Sequence, residues 1–472
     1  MTRALFLSVG LAYVGAGMAQ PLAAAENPEP TGLRQAKGAD SPTSSASATP
    51  QVLRLDLAGA VSRALEVSPR IKRIAAQERS AFAQQRMAQS ERWPQVDVGA
   101  SYQRRSEVPE LSIQMPTGDI ARPVQKVTVF PNIEDNYRLR AGAAWPVFTG
   151  GRVRSQVEAA ELSVKAAEND TRTARADLVL EVKAAYWNLV TALESGRVLE
   201  EAIGSLDAHL RDARNREAVG IAARSEVLAV QVERDRAELE SIRATAAAEL
   251  AEANLRRLLD VLPATRIEPT APLDSPPDEV VEVEAGVAEA LASRSDRAAL
   301  LSRAQAAEAR VGVERSGRLP QVALAASYVY ANPNRDIVPA ELAWKDTWAA
   351  GVSVTLSLFD GGRRSAGMAR ARAQADEARE LVRDLDGALR LEVTQRALEL
   401  RTARARLRVA ERAIESAREN HRVTADRYRE GVSPSSELLD AATSLERASL
   451  ARTEALLALR LAAAGLDRAV GR

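Results

Sequence analysis

Few side chains in this sequence have both the chemistry and the spacing that a catalytic or metal site requires. The 472 residues include no cysteine and two histidines, His209 and His421. Without cysteine there is no disulfide, no thiolate metal ligand and no thiol nucleophile. Each histidine stands in a charged, helix-like stretch, which favours a solvated helix face. We find no Ser/His/Asp set and no zinc-ligand spacing, so the sequence predicts no enzyme activity, no metal site and no cofactor.

Two glycine pairs, at residues 150–151 and 361–362, each precede an arginine and could be mistaken for phosphate loops at helix N-termini. Neither pair has the spacing of a Walker motif, and each follows a predicted strand. We interpret both as strand-to-helix turns.

Glu437 and Asp440 are three positions apart and therefore share one face of a predicted helix. Spacing alone favours a solvated face near a helix N-terminus that begins at Ser435 or Ser436. The whole chain has 64 basic and 64 acidic residues and a net charge of zero. It therefore lacks the broad positive field that nucleic-acid binding needs, and no nucleic-acid partner is expected.

The N-terminal residues have the pattern of an export signal. Arg3 precedes an apolar run over residues 4–14 and then small residues, which predicts a signal peptide over 1–25, cleaved after Ala19 or Ala25. Residues 26–50 are rich in Ser, Pro and Thr and are expected to form a flexible lead. After residue 25 there is no window of about 18 apolar residues, so a membrane-embedded part would have to be made of strands.

The sequence contains two tandem copies of one unit. RWPQV at residues 92–96 recurs as RLPQV at 318–322, and FTGGR at 148–152 recurs as FDGGR at 359–363. Gly220 followed by SEVL at 225–228 recurs as Gly431 followed by SELL at 436–439. The offset falls from 226 to 211, so the first copy carries 15 extra residues in an irregular, Pro-containing stretch at about 104–136. The predicted copies cover 51–262 and 283–472, joined by a Pro-rich linker over 263–282.

Each copy contains a predicted β-hairpin, at residues 95–148 and 321–359. Its strands alternate with period two and reach about nine to eleven residues, the length that crosses a bilayer when tilted. Taken alone, this pattern also fits a soluble, half-buried sheet. Four strands cannot close, and lipid does not tolerate open edges, so a membrane sheet would require three chains and twelve strands. Aromatic residues crowd the strand ends and predict an interfacial girdle: Tyr102, Tyr137, Trp145, Tyr328, Tyr330, Trp344 and Trp348.

Long uninterrupted helices follow the hairpins. Residues 152–216 contain no proline, which predicts a rod of about 98 Å, and residues 363–429 repeat it. Segments 224–260 and 283–317 are each predicted to form a helix of about 54 Å. Stacked end to end, these two helices have about the length of one long rod. A further single helix is predicted over 57–92. The fold class is therefore mainly α with a transmembrane β-barrel contribution.

The order of these elements resembles the TolC family of outer-membrane efflux proteins over about residues 53–471. LPQV at 319–322, LFDGGRR at 358–364 and the string YREGVSPSSELLDA at 428–441 carry the resemblance. It implies a homotrimeric channel-tunnel in the Gram-negative envelope, with a 12-stranded barrel in outer-membrane lipid continuous with an α-helical barrel across the periplasm. It also implies two partners, a periplasmic adaptor and an inner-membrane transporter.

The same resemblance implies where the function lies. Glu437 and Asp440 match acidic residues that form rings at the periplasmic constriction, and Tyr428 and Glu226 match a pair whose hydrogen bond links the two helix tips in the closed state. An arginine expected at the second tip is Ser433 here. The tips that an adaptor would contact contain these residues: Gly220, Ser225, Gly431 and Ser436.

The leading hypothesis is a passive export duct for small molecules in a tripartite efflux system. An exit duct for a type I protein secretion system fits the same residues, because the duct sequence does not encode the cargo. A secreted coiled-coil scaffold whose strands form a soluble sheet is the alternative from another class.

Overall fold

The computed structural model describes residues 52–119, 122–274 and 282–472. The predicted signal peptide and flexible lead lie outside these residues. The helices are α1 (Leu57–Val67), α2 (Pro69–Ser90), α3 (Arg152–Ala218), α4 (Arg224–Leu259), α5 (Val283–Ser293), α6 (Ser295–Ser316), α7 (Arg363–Arg429) and α8 (Ser435–Val470). The strands are β1 (Val52–Leu55), β2 (Gln95–Arg104), β3 (Leu111–Asp119), β4 (Arg122–Phe130), β5 (Asp135–Phe148), β6 (Arg266–Pro269), β7 (Gln321–Asn332) and β8 (Lys345–Thr355).

The two predicted hairpins combine into one antiparallel sheet of four strands in the order β2-β5-β7-β8. Its centre is the pairing of β5 with β7, which joins the first copy to the second. β2 and β8 form its two edges.

Two smaller sheets differ from the sequence predictions. The stretch at 104–136, expected to be irregular, contains an antiparallel hairpin of β3 and β4. β3 alternates apolar and polar residues over 111–115, but β4 does not, and Pro116 and Pro123 further argue against strands because proline is rare inside them. In the Pro-rich linker, residues 266–269 form β6, which pairs in parallel with β1.

The long helices match their predicted lengths. α3 and α7 each contain 67 residues, or about 100 Å of helix. Each begins directly after a glycine with φ of 88°, at Gly151 and Gly362, a conformation that residues with a Cβ rarely adopt. α3 packs against α4 and α6, and α7 packs against α6 and α8. The glycine pairs are therefore strand-to-helix turns, as predicted.

Two helices predicted as continuous are each broken once. The break between α1 and α2 falls at Ser68, because the following Pro69 disfavours helical backbone in the residue before it. The matching break between α5 and α6 falls at Arg294, whose extended backbone has a φ of -62° and a ψ of 119°. The Arg294 side chain is buried and donates to Asp296, to Glu392 and to the carbonyl oxygen of Ala469 near the end of α8.

The largest core lies midway along α3 and joins α1, α3, α4, α7 and α8. Tyr186 is fully buried there, and its hydroxyl donates to the carbonyl oxygen of Leu55 and accepts from the backbone N–H groups of Thr270 and Ala271. This one hydroxyl connects α3 to β1 and to the segment after β6. Within the described residues, no helix is both long and apolar enough to cross a membrane.

Candidate functional site: the sheet face and the helix tips

The register of the four-stranded sheet places its apolar side chains on one face. Val98 lies opposite Ala141, which lies opposite Tyr328, which lies opposite Trp348. Alternate residues along every strand continue that face. Its side chains are open to the surroundings, with Val98 79% and Trp348 76% exposed. A soluble domain would cover such a surface, so this face is suited to lipid.

The predicted aromatic residues lie on or beside this face. Tyr102 and Tyr137 are directly opposite each other with ring centroids 5.1 Å apart. Trp344 stacks on Tyr330 at 4.9 Å and lies 6.1 Å from Tyr137, which makes one cluster at the end of the sheet nearest the β3–β4 hairpin.

Trp145 lies at the opposite end of the sheet, where its indole N–H donates to the carbonyl oxygen of Arg92 over 3.0 Å. Tyr328 and Trp348 lie opposite each other between the two ends. The sheet therefore has aromatic residues at both ends, which is typical of strands that cross two membrane interfaces.

The helix tips are tight turns at Gly220 and Gly431. Both glycines have left-handed backbone, with φ of 80° and 78°. The amide after each glycine donates back to a helix carbonyl, from Ile221 to Arg216 over 2.8 Å and from Val432 to Arg427 over 2.9 Å. These bonds end α3 and α7 in the same way. Because Ile221 is 75% exposed and Val432 is 64% exposed, both tips present apolar side chains.

The predicted acidic pair is exposed at the start of α8. Glu437 and Asp440 are both open to solvent, and the Ser433 hydroxyl donates to the Glu437 carboxylate. Ser225 and Ser436 are likewise exposed in the first turns of α4 and α8. The serine that replaces the expected arginine therefore contacts one of the two acids within its own chain.

His209 is buried, and its predicted solvated position is wrong. The ring Nε2 lies 3.1 Å from the Ser435 hydroxyl, and the ring centroid lies 5.2 Å from that of Tyr428. Burial lowers the pKa of His209 below its ordinary value. His209 thus connects α3 to the ends of both α7 and α8.

The hydrogen bond that the resemblance implies between Tyr428 and Glu226 is not formed in this structure. The Tyr428 hydroxyl is buried and has no hydrogen-bond partner within the described part of the chain. Arg216 lies over the Tyr428 ring, 4.3 Å from its centroid, and donates to the Tyr428 carbonyl oxygen over 3.4 Å. Burial raises the pKa of Tyr428. In this structure Arg216 holds the two tips together in place of Glu226.

Sequence reasoning missed His209 and Arg216 as tip residues, although the sequence carries a signal for the first. His209 falls among Leu206, Leu210 and Ala213, which recur at helical spacing and are all buried. A histidine within that stripe is placed on the apolar face. For Arg216 no such signal exists, because its contact depends on a residue 212 positions away.

A sheet with a lipid-compatible face on rods of this length is the architecture of an outer-membrane channel subunit. The chain belongs to the outer membrane efflux protein family, because the profile described as "Outer membrane efflux protein" matches residues 60–260 and 286–472. The predicted resemblance and the predicted outer-membrane location are confirmed.

Individual relatives are distant. The outer membrane efflux protein BepC of Brucella suis is 26% identical over 55% of this chain and 55% of its own length. The outer membrane protein OprJ of Pseudomonas aeruginosa is 26% identical over 69% of this chain and 65% of its own length. The chain thus aligns with less than two thirds of either protein. The solved outer membrane protein VceC of Vibrio cholerae has the same fold, with a TM-score of 0.72 at 22% identity over 88% of this chain and 96% of VceC.

Proposed function

We propose that three copies of this chain form a passive export duct through the outer membrane. The observation that carries this proposal is the four-stranded sheet, which has an exposed apolar face and two edges, β2 and β8, that pair with no further strand among the described residues. Unpaired backbone groups are too costly in lipid, so each edge needs a strand from a neighbouring copy. Three copies supply twelve strands, within the even-numbered range of outer-membrane barrels.

The helices support the same assembly. In one chain, apolar residues remain exposed at a heptad spacing, Val232 with Leu239 on α4 and Leu391 with Leu398 on α7. Apolar side chains that recur every seven residues pack well against a neighbouring helix. We propose that they lie between subunits in an α-helical barrel that continues the lumen of the strands.

The tips would form the gate of this duct. Six carboxylates, Glu437 and Asp440 from each chain, would surround the narrow end of the lumen and favour cations. The exposed turns at Gly220 and Gly431, with Ser225 and Ser436 beside them, would contact a periplasmic adaptor that joins the duct to an inner-membrane transporter. The gate opens when the tip contacts made by Arg216 and His209 separate.

The proposed activity is passive transport, with no catalytic step. Small molecules are the proposed cargo, and the alternative is a secreted protein. Cells that lack the chain distinguish the two, because the first cargo predicts greater sensitivity to toxic small molecules and the second predicts loss of a secreted protein.

Reconstitution tests the duct itself. Detergent-purified protein added to a planar lipid bilayer should insert with stepwise increases in conductance. A chain that fractionates without detergent and produces no conductance steps would instead be a soluble scaffold, and the proposal would be wrong.

A further inference from the structure

Two arginines lie on the sheet face opposite the apolar one. Arg138 and Arg140 alternate along β5 with Tyr137 and Leu139, which belong to the apolar face. Both arginines are exposed. If the apolar face meets lipid, as the proposed function requires, Arg138 and Arg140 line the lumen.

The residues directly opposite these arginines in the sheet are uncharged. Arg138 lies between Ser101 on β2 and Ala331 on β7, and Arg140 lies between Gly99 and Val329. Neither guanidinium has a carboxylate partner among the described residues, whereas Arg104, at the end of β2, pairs with Glu134 over 2.9 Å. The two arginines are therefore free to bind an anion from outside the chain.

The rest of this face carries one further basic side chain, which is paired, and one acidic side chain. Lys345 on β8 is opposite Ala331, in line with Arg138, and its Nζ bonds to Glu341 over 2.6 Å. Along the four strands this face carries three basic side chains, Arg138, Arg140 and Lys345, and one acidic side chain, Asp97. Asp97 lies opposite Gly142 and forms no ion pair with Arg140.

We infer that Arg138 and Arg140 from three chains form an anion-binding ring inside the strands, which favours cargo that carries carboxylate, phosphate or sulfonate groups. A guanidinium binds such groups through two parallel hydrogen bonds and stays charged at any physiological pH. Rings of arginine side chains are a known means of anion selection in pores. The inference rests on the proposed duct, because only a closed barrel brings six guanidinium groups around one lumen.

Binding of inositol hexakisphosphate to the detergent-purified protein, measured by calorimetry at low ionic strength, tests the ring. The wild-type trimer should bind it, and R138Q/R140Q should bind at least about tenfold more weakly, because charged hydrogen bonds are lost. R138K/R140K keeps the charge but loses the paired hydrogen bonds, and should fall between them. R54Q is the control for the single variant R138Q, because each removes one positive charge per chain and Arg54, which pairs with Glu268, lies on β1 outside the four-stranded sheet.

Conductance measurements in planar bilayers distinguish failure of the anion-binding ring from failure of the proposed duct. If the wild-type protein conducts but binds no inositol hexakisphosphate, the ring is wrong and the duct is not. The same conclusion follows if R138Q/R140Q binds inositol hexakisphosphate with wild-type affinity. Absence of conductance in the wild-type protein overturns the duct. R138Q alone keeps half of the arginines and should bind with intermediate affinity, which provides a second test if the double variant does not assemble.

Discussion

At the residue scale, the buried imidazole of His209 makes the tip contact sensitive to acid. The charged groups around it act in both directions: Asp212 and Glu226 favour its protonated form, and Arg216 and His421 disfavour it. Burial has the largest effect and lowers the pKa of His209. Burial therefore favours the neutral ring at the position where it packs against Tyr428 and hydrogen-bonds to Ser435.

Replacing His209 by Gln should weaken the response of the protein to acid. Because the folded-state pKa lies below the ordinary value of 6.5, the stabilisation is complete above that pH and is lost as the pH falls through 6.5 toward the folded-state value. Thermal midpoints at about pH 7.5 and about pH 5.5 should differ more for wild type than for H209Q. Burial also lowers the pKa of His421, so H421Q should lose the share of the difference that His421 contributes and keep the share that His209 contributes. An equal difference in wild type and H209Q would contradict this account.

Removing the acidic pair should reduce cation preference. The variant E437A/D440A takes six carboxylates from the proposed constriction, so the reversal potential under a salt gradient should shift toward that of an unselective pore, and block by divalent cations should weaken. E284A removes an exposed acid from the first turn of α5, away from the tips, and should leave the reversal potential as in wild type. Unchanged selectivity in E437A/D440A would remove these residues from the gate.

The sequence identified the exposed tip residues better than the buried ones. Gly220, Gly431, Ser436 and Glu437 follow from a repeat that can be read directly. The bond from His209 to Ser435 joins residues 226 positions apart, and no local pattern encodes a contact of that kind.

At the element scale, the turns at Gly220 and Gly431 end the rods because only glycine adopts their backbone without strain. A Cβ at Gly220 would meet nothing within 4 Å, so an alanine there is strained by its φ of 80° alone. G220A should therefore destabilise the tip by about 1–2 kcal/mol.

Gly204 provides the matched control, because it also has open space around a Cβ but lies inside α3 with helical backbone. G204A should stabilise the protein by about 0.5–1 kcal/mol, since alanine is the better helix former. Thermal unfolding followed by circular dichroism compares the two variants. A midpoint that rises in G220A as it does in G204A would show that the turn does not require glycine.

The long elements were predictable, and the break at Ser68 could also have been predicted from Pro69, but the break at Arg294 could not. The bounds of α3 and α7, and the four strands of the sheet, follow from breaker-free spacing and from period-two alternation. The break at Arg294 depends on a buried side chain that bonds to the end of α8, a distant element. The β3–β4 hairpin was missed because its two prolines imitate a loop.

At the scale of the whole molecule, a single chain leaves strand edges unpaired and apolar side chains exposed within its described residues. Within the part of the chain that the structure describes, both edges of the sheet are unpaired, and its apolar face is exposed. The helices leave apolar residues such as Leu250 and Leu391 uncovered. The same threefold assembly would pair these edges and cover these apolar side chains. It would also place opposite charges at the two ends of the lumen, with arginines in the strands and carboxylates at the tips.

Electron imaging of detergent-extracted particles from the envelope fraction tests this assembly most directly. We expect a threefold cylinder about 140 Å long, from rods of about 100 Å and a membrane section of about 40 Å. A compact monomer that stays in solution without detergent would contradict it, and the strands would then form a soluble sheet.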